Sequence, residues 1–376
     1  MKTKKIIYAC LILVSFIFEP KILNAQENTP LKAIEVIGPL TTLEEGGGAR
    51  PEIIFLNGQW YMVYRDSAAR GGSFRLKNFG RSLGQKASSR VLVSSGAKGG
   101  VTDIRMTTDG GFVYAAYETA SAQGRKLFVE KYDSQFRLLI SRQAAEAARP
   151  GRGVEALDDP AVVVGNNHVY VMTKVGIGQG QRQYRVREFN LDLTPTGAVF
   201  EIGTELNIGL GSVSSVVFAD GNFYVVTTVH VSGRPVCPSA DETTNNDLYV
   251  FLYDKDWRFT GFSKAITSGP HIEYYPTGFK YADGKFYIVY LVNDPETYLP
   301  HCGQGGNLGI GKAYLLVLDK NFNPLINQKI TAGSEIVNHP TLEVAGGQIY
   351  VAYGRKEREG LGLGSSNIWV RVFEFY

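Results

Sequence analysis

The chain has 376 residues, with 39 Lys and Arg against 36 Asp and Glu, three cysteines and 12% aromatic residues. A formal charge of +3 over that length excludes recognition of nucleic acid or of an anionic membrane surface through bulk charge. Three cysteines, none in a CxxC pair, exclude a disulfide-built scaffold and a cysteine-rich zinc site.

The first 25 residues read as a signal peptide. Lys2, Lys4 and Lys5 precede an apolar run from Ile6 to Phe18 that contains Cys10 and is too short to span a bilayer comfortably. Leu23-Asn24-Ala25 has the form of a cleavage site. The expected mature chain, 26–376, is a single domain that is secreted or periplasmic and free of the membrane after cleavage. The signal peptide takes with it Lys2, Lys4, Lys5, Lys21 and Glu19, which leaves 35 basic and 35 acidic side chains and a formal charge near zero.

Ala33 to Pro39 predicts a lone strand, and a motif then recurs six times. The copies are RPEIIFLNGQWYMVYR from Arg50, DIRMTTDGGFVYAAYE from Asp103, DPAVVVGNNHVYVMTK from Asp159, VSSVVFADGNFYVVTT from Val213, YYPTGFKYADGKFYIVY from Tyr274 and HPTLEVAGGQIYVAYG from His339. In each, two runs of alternating apolar residues flank an Asn/Asp/Gly turn, which is the signature of a tight hairpin. Strand-only repeats about 50 to 65 residues apart predict an all-β fold, a six-bladed β-propeller of four-stranded blades, each hairpin supplying strands A and B. Outer C and D strands follow across Asp/Asn turns: Lys126 to Tyr132 then Phe136 to Arg142, Tyr184 to Phe189 then Val199 to Ile202, Leu248 to Tyr253 then Phe262 to Ile266, and Tyr314 to Leu318 then Ile326 to Ile330. Gln143 to Ala148 is the best helical candidate. Asp66 to Ser89, Val231 to Asp247 and Asn293 to Lys312 read as long loops between strands B and C. The last copy has a third strand, Asn367 to Phe375, and no fourth. The N-terminal strand is expected to complete that blade, because an open ring leaves an unpaired edge.

Alignment on the B-strand tyrosines, Tyr61, Tyr114, Tyr170, Tyr224, Tyr287 and Tyr350, places Arg50, Asp103, Asp159, Val213, Tyr275 and His339 at the entrances of the A strands. A-strand entrances line the channel mouth on one face of a propeller, together with the B–C loops. Pro follows the entrance residue in four copies, where a strand's first position loses no ladder donor. This ring is polar and unlike from blade to blade, whereas a structural repeat would keep one residue type. Asp103 and Asp159 are the candidate catalytic carboxylates, with Arg50 beside them. Glu52, Arg65, Glu118, His271, Tyr275 and His339 are candidate substrate contacts, with Arg105, Lys174, Glu273 and Asn338 close by in sequence. Cys237 and Cys302 sit in B–C loops of consecutive blades, so an exported chain is expected to join them in a disulfide, closing a loop of about 65 residues worth roughly 4 kcal/mol. No metal or cofactor motif is present. The Gly-rich GQGGNLGIG stretch follows no βαβ pattern and carries no Lys-Ser/Thr.

At its entrance residues the chain resembles the glycoside-hydrolase propellers, both sialidase-like and arabinanase-like. Arg50-Pro51 is similar to the arginine-containing entrance motif of sialidases, and Asp159-Pro160 to the Asp-Pro strand entrance of the arabinanase-like group, which there belongs to the first blade. The chain departs from sialidases in having its one near-match to an Asp-box, Thr107 to Gly111, in an A–B turn, and in lacking a placeable Tyr/Glu nucleophile pair. The resemblance implies action on glycans, with Asp103 and Asp159 as acid and base, and the mature protein is expected to be a monomer. The residues leave two alternatives open: a non-catalytic propeller that binds a glycan, peptide or other extracellular ligand, and an assembly module of the cell envelope.

Overall fold

The computed structural model describes residues 31–41, 49–66, 72–84, 87–94, 100–121, 124–147, 157, 159–178, 181–203, 210–232, 244–268, 272–293, 310–333, 335–356 and 366–374. Cys237, Cys302 and His271 lie outside the described residues, as do the first 30. Among the described residues there are 24 strands and no helix, and hence no helix that is long and apolar enough to cross a membrane.

The first strand, β1, is Lys32–Ile37. Blade 1 is β2 (Ala49–Leu56), β3 (Gln59–Asp66), β4 (Ser73–Gly80) and β5 (Ser88–Val93). Blade 2 is β6 (Gly100–Asp109), β7 (Phe112–Ser121), β8 (Gly124–Tyr132) and β9 (Leu138–Ala147). Blade 3 is β10 (Ala161–Gly165), β11 (His168–Gly178), β12 (Gln181–Asn190) and β13 (Pro195–Ile202). Blade 4 is β14 (Leu210–Ala219), β15 (Asn222–Ser232), β16 (Thr244–Tyr253) and β17 (Phe259–Ala265). Blade 5 is β18 (Ile272–Ala282), β19 (Lys285–Asn293), β20 (Ile310–Leu318) and β21 (Pro324–Lys329). Blade 6 is β22 (Val337–Ala345), β23 (Gln348–Lys356) and β24 (Ser366–Glu374), completed by β1. Within each blade the pairings are antiparallel between sequence neighbours, except that β1 lies beside β24, from Lys32 opposite Glu374 to Ile37 opposite Val370, as the missing fourth strand required. A two-residue ladder between β20 and β22 also stitches blade 5 to blade 6.

Period-2 alternation gives every sheet two apolar faces, and each face packs on the next blade. Six buried clusters result, one for each neighbouring pair of blades. The pair formed by blades 6 and 1 buries Ile53, Trp60 and Met62 against Ala352, Ile368 and Val370, so the ring is closed.

The recurring B-strand tyrosines have a structural cause. The C–D turns begin at Asp133, Asn190, Asp254 and Asp319, and the fourth residue of each, Phe136, Leu193, Trp257 or Phe322, has positive φ. In three of these turns the first carboxylate accepts two backbone N–H groups, as Asp133 does from Gln135 and Arg137 at 2.9 Å each. The left-handed residue is thereby driven into the seam with the preceding blade. Phe136 meets Tyr61 at 4.7 Å between ring centroids, Trp257 meets Tyr170 at 5.6 Å and Phe322 meets Tyr224 at 5.6 Å. Burying such a ring contributes about 1.5–3 kcal/mol, enough to offset the backbone strain of roughly 1 kcal/mol.

Three sequence expectations are corrected here. Gln143 to Ala147 is strand, not helix: β9 pairs with β8 up to Ala147 opposite Arg125, and pairing along that long C strand overrides the weak helical preference of an alanine-rich run. Phe136 is the seam plug of its turn, not the start of a D strand. The stretch from Asp66 to Ser89 contains all of β4, whose Arg75, Lys77 and Asn78 disguise a blade strand as a loop.

Candidate functional site at the channel mouth

The A strands β2, β6, β10, β14, β18 and β22 surround the axis. Two residues inward from the entrance ring, Glu52, Arg105, Ala161, Ser215, Thr277 and Thr341 line a channel cavity of about 50 Å³, one from each blade. This ladder-like placement follows from strand period 2.

The entrance ring itself is strained. Arg50, Asp159, Tyr275 and His339 have φ of 55°, 51°, 54° and 40°, and each precedes a proline. A side chain disfavours that left-handed region, and a following proline also restricts the backbone, so the surroundings must over-determine the conformation. The ladder register shifts at the entrances of β2, β6, β14, β18 and β22, bulging the strand there. Bulges of this kind re-aim a side chain.

The structure brings most of the candidate residues together. Arg50 Nη1 is ion-paired with Asp103 Oδ2 and donates to the Thr102 carbonyl at 3.3 Å. Burial lowers the Arg50 pKa, and the charges of Asp159 and Tyr275 oppose that shift. Asp103 is buried, with Oδ1 lacking a hydrogen-bond partner among the described residues, whereas Asp159 is half-buried. Below them Arg105 Nη1 donates to Glu52 Oε1 at 2.7 Å, both side chains being buried, and Arg105 Nη2 has no acceptor. Arg65 Nε is likewise buried without an acceptor. Gly72 packs over that guanidinium at φ +73°: a Cβ there would lie 3.0 Å from Arg65 Nε and 2.9 Å from the Val101 carbonyl, so only glycine fits.

Tyr275 and His339 meet edge to face, 5.2 Å between centroids at 88°. His339 is 4% exposed, and among the described residues neither ring nitrogen has a hydrogen-bond partner. Burial, then Arg50, Arg105 and Arg65, push its pKa well below the usual 6.5, so the imidazole is neutral at physiological pH. Neutral, it offers one donor and one acceptor.

Glu118 stands apart from the open groups. Its carboxylate is 1% exposed, accepts Arg125 Nη1 at 3.0 Å and also accepts the Thr102 hydroxyl, which braces the segment next to Asp103. Lys174 is buried within β11, four residues before that strand ends. The blade 4 entrance residue, Val213, lies on β14.

Sequence reading underrated Glu273, which is buried at the start of β18 with Oε2 lacking a partner. Burial raises its pKa from 4.5 to about 7, with Asp247 adding to the shift against a hydrogen bond from Thr267. A carboxyl that keeps its proton in the folded state stabilises the fold fully below 4.5 and loses that contribution as pH rises to 7, about 3 kcal/mol in all. Glu273→Gln is expected to remove this dependence. Its thermal stability should exceed that of the parent at pH 8 and match it at pH 4.5, in melts recorded across that range. A parent-like pH profile in the variant contradicts the assignment.

No protein-family description matches the sequence, and no curated protein matches it. Among solved structures, the sialidase of Trypanosoma rangeli is similar at 11% identity with a TM-score of 0.55, covering 87% of this chain and 55% of that one. The chain therefore spans about half the length of that sialidase. The fold is that of the glycoside-hydrolase propellers. A neuraminidase-like protein of A/little yellow-shouldered bat/Guatemala is similar at 8% identity with a TM-score of 0.50, covering 92% of this chain and 98% of that one. The endo-arabinanase from Bacillus licheniformis aligns at 14% identity with a TM-score of 0.45, covering 74% of this propeller and 97% of its own chain.

Proposed function

We propose that this exported propeller acts on a glycan at the mouth of its channel. One observation carries the reading. Arg65 Nε, Arg105 Nη2, both His339 nitrogens and Asp103 Oδ1 are buried polar atoms with no hydrogen-bond partner among the described residues, and all belong to the entrance region. Buried polar groups are normally satisfied, so a cluster of open donors and acceptors marks a place for a ligand rich in both. Sugar hydroxyls have that chemistry, and the ring of Tyr275 supplies an aromatic surface. Arg50 and Arg105 already face Asp103 and Glu52, so the charges are largely matched within the site. The likeness in fold to a sialidase described in complex with sialic acid points the same way.

Within this reading the two carboxylates differ. Asp103 is ion-paired with Arg50, a partner that favours the carboxylate form a general base requires. Asp159 is half-buried, which makes it the more accessible of the two carboxyls and the candidate general acid. Hydrolysis of a panel of glycosides and oligosaccharides by the purified chain is the test. Asp159→Asn is expected to reduce turnover by about 10²-fold or more while glycan binding persists. Unchanged turnover removes Asp159 from catalysis. A second reading, binding without hydrolysis, draws on the occupation of Asp103 Oδ2 by Arg50. It holds if the parent binds a glycan and cleaves none.

A further inference from the structure

A set of hydroxyl groups lies directly beneath the strained entrance residues. Ser215 Oγ, on blade 4, donates to the carbonyl of Pro276 on blade 5. Thr277 Oγ1, on blade 5, donates to the carbonyl of Pro340 on blade 6. Thr341 Oγ1, on blade 6, lies 3.5 Å from Glu52 Oε2 on blade 1, and Glu52 accepts Arg105 Nη1 from blade 2. These contacts run through five blades in order. Each hydroxyl reaches the residue that follows the entrance residue of the next blade, or the one after it. Pro276 and Pro340 are the prolines that follow Tyr275 and His339, the two aromatic residues that meet edge to face.

We infer that Ser215, Thr277 and Thr341 are positioning residues, which hold Tyr275, His339 and the Arg50-Pro51-Glu52 segment in the left-handed, channel-facing conformation through the backbone of the neighbouring blade. The inference rests on the reading that the entrance ring is the ligand site. A residue before proline does not hold positive φ unaided. A carbonyl that accepts a cross-blade hydrogen bond fixes the peptide that follows the proline, and the rigid proline ring passes that restraint to the entrance residue before it. Ser215 and Thr277 supply the donor for two of the four strained entrances, and Thr341 with Arg105 fixes Glu52 beyond a third. The fourth is Asp159. The layer is interrupted at blade 3, where Ala161 has no hydroxyl, and Arg105 of blade 2 turns back towards blade 1. Asp159 is therefore the entrance residue left to adjust, while the remainder of the mouth is held.

The test is nuclear magnetic resonance of the full chain labelled at its five histidines, with the His339 signal assigned by its loss in His339→Gln. Thr277→Val keeps the shape of the side chain and deletes the donor. It is expected to displace the His339 Cε1–H resonance and to raise the His339 pKa towards the ordinary value, as the ring leaves its buried position. Thr277→Ser restores both. Ser215→Ala, on the opposite side of Tyr275, is expected to move the His339 resonance less than Thr277→Val does. A merely structural role for Thr277 lowers the melting temperature and leaves the His339 signal in place, and that result overturns the inference. Should Thr277→Val fail to fold, an unshifted His339 in folded Ser215→Ala together with an unshifted His339 in Thr341→Val overturns it equally. The signal is read without ligand, so failure of the glycan reading leaves this test intact.

Discussion

Deletion of residues 31–41 is expected to destabilise the entire ring by about 5–8 kcal/mol, comparable to the whole stability of a typical domain. The segment adds a D strand to blade 6 through a ladder from Lys32 to Ile37. It also carries three anchors outside the ladder. Leu31 is buried between blades 5 and 6, Thr41 Oγ1 accepts the Ile368 N–H at 3.0 Å, and the Leu40 carbonyl accepts Lys77 Nζ of blade 1 at 2.7 Å. Ladder bonds at about 1 kcal/mol each and the burial of Leu31 at about 2 kcal/mol make up most of the sum. Because blade 6 packs on blade 1, an exposed β24 edge loosens the closing seam as well as its own sheet. Thermal unfolding measures the effect, and a peptide of residues 31–41 added in trans should restore part of it. An unchanged melting temperature in the deletion variant refutes closure by this strand.

The architecture was legible in the sequence because its cause is periodic. Six hairpins with Asn/Asp/Gly turns and a B-strand tyrosine can be aligned by eye, and the missing fourth strand at the C-terminus points to the lone strand at the other end. β4 and the end of β9 were less legible. The polar residues of β4 and the alanines of β9 obey pairing with a neighbouring strand, a nonlocal constraint with no signature in the segment itself. The seam plugs Phe136, Leu193, Trp257 and Phe322 repeat at a fixed offset from an Asp or Asn, a signal present in the text but easily taken for strand. At the mouth, counting back from the tyrosines finds the entrance ring. It does not find which groups pair with each other, because Arg50 selects Asp103 and Arg105 selects Glu52 across blades. The prolines after Arg50, Asp159, Tyr275 and His339 mark the strained positions, and the hydroxyl layer two residues inward follows from period 2 once those positions are known.

Breaking the ion pair beneath the mouth is the second large effect expected. Arg105→Met leaves Glu52 buried with only the Thr341 hydroxyl and the charge of Lys280 to compensate it, and loss of one member of a buried pair costs about 3–5 kcal/mol. Burial already raises the Glu52 pKa above its ordinary value, and Arg105 is the strongest force opposing that shift. Without the guanidinium the shift grows, and Glu52 escapes the cost by taking up a proton. For a carboxyl with a raised folded pKa, stability is fully present below the unfolded value and falls as pH rises through the folded one. The variant should therefore approach the parent in stability near pH 4.5 and show its full deficit at pH 8, by chemical denaturation at each pH. Glu52→Leu combined with Arg105→Met removes both charges and should recover most of the loss, since an apolar pair of similar volume needs no compensation. A deficit below 1 kcal/mol at pH 8 in the single variant would mean that water reaches Glu52 and that the channel beneath the mouth is wet rather than sealed. Loss of Arg105 also removes one of the three cations that depress His339, so the His339 pKa should rise in the same variant. The stability of this pair and the neutrality of the histidine above it are thus expected to change together.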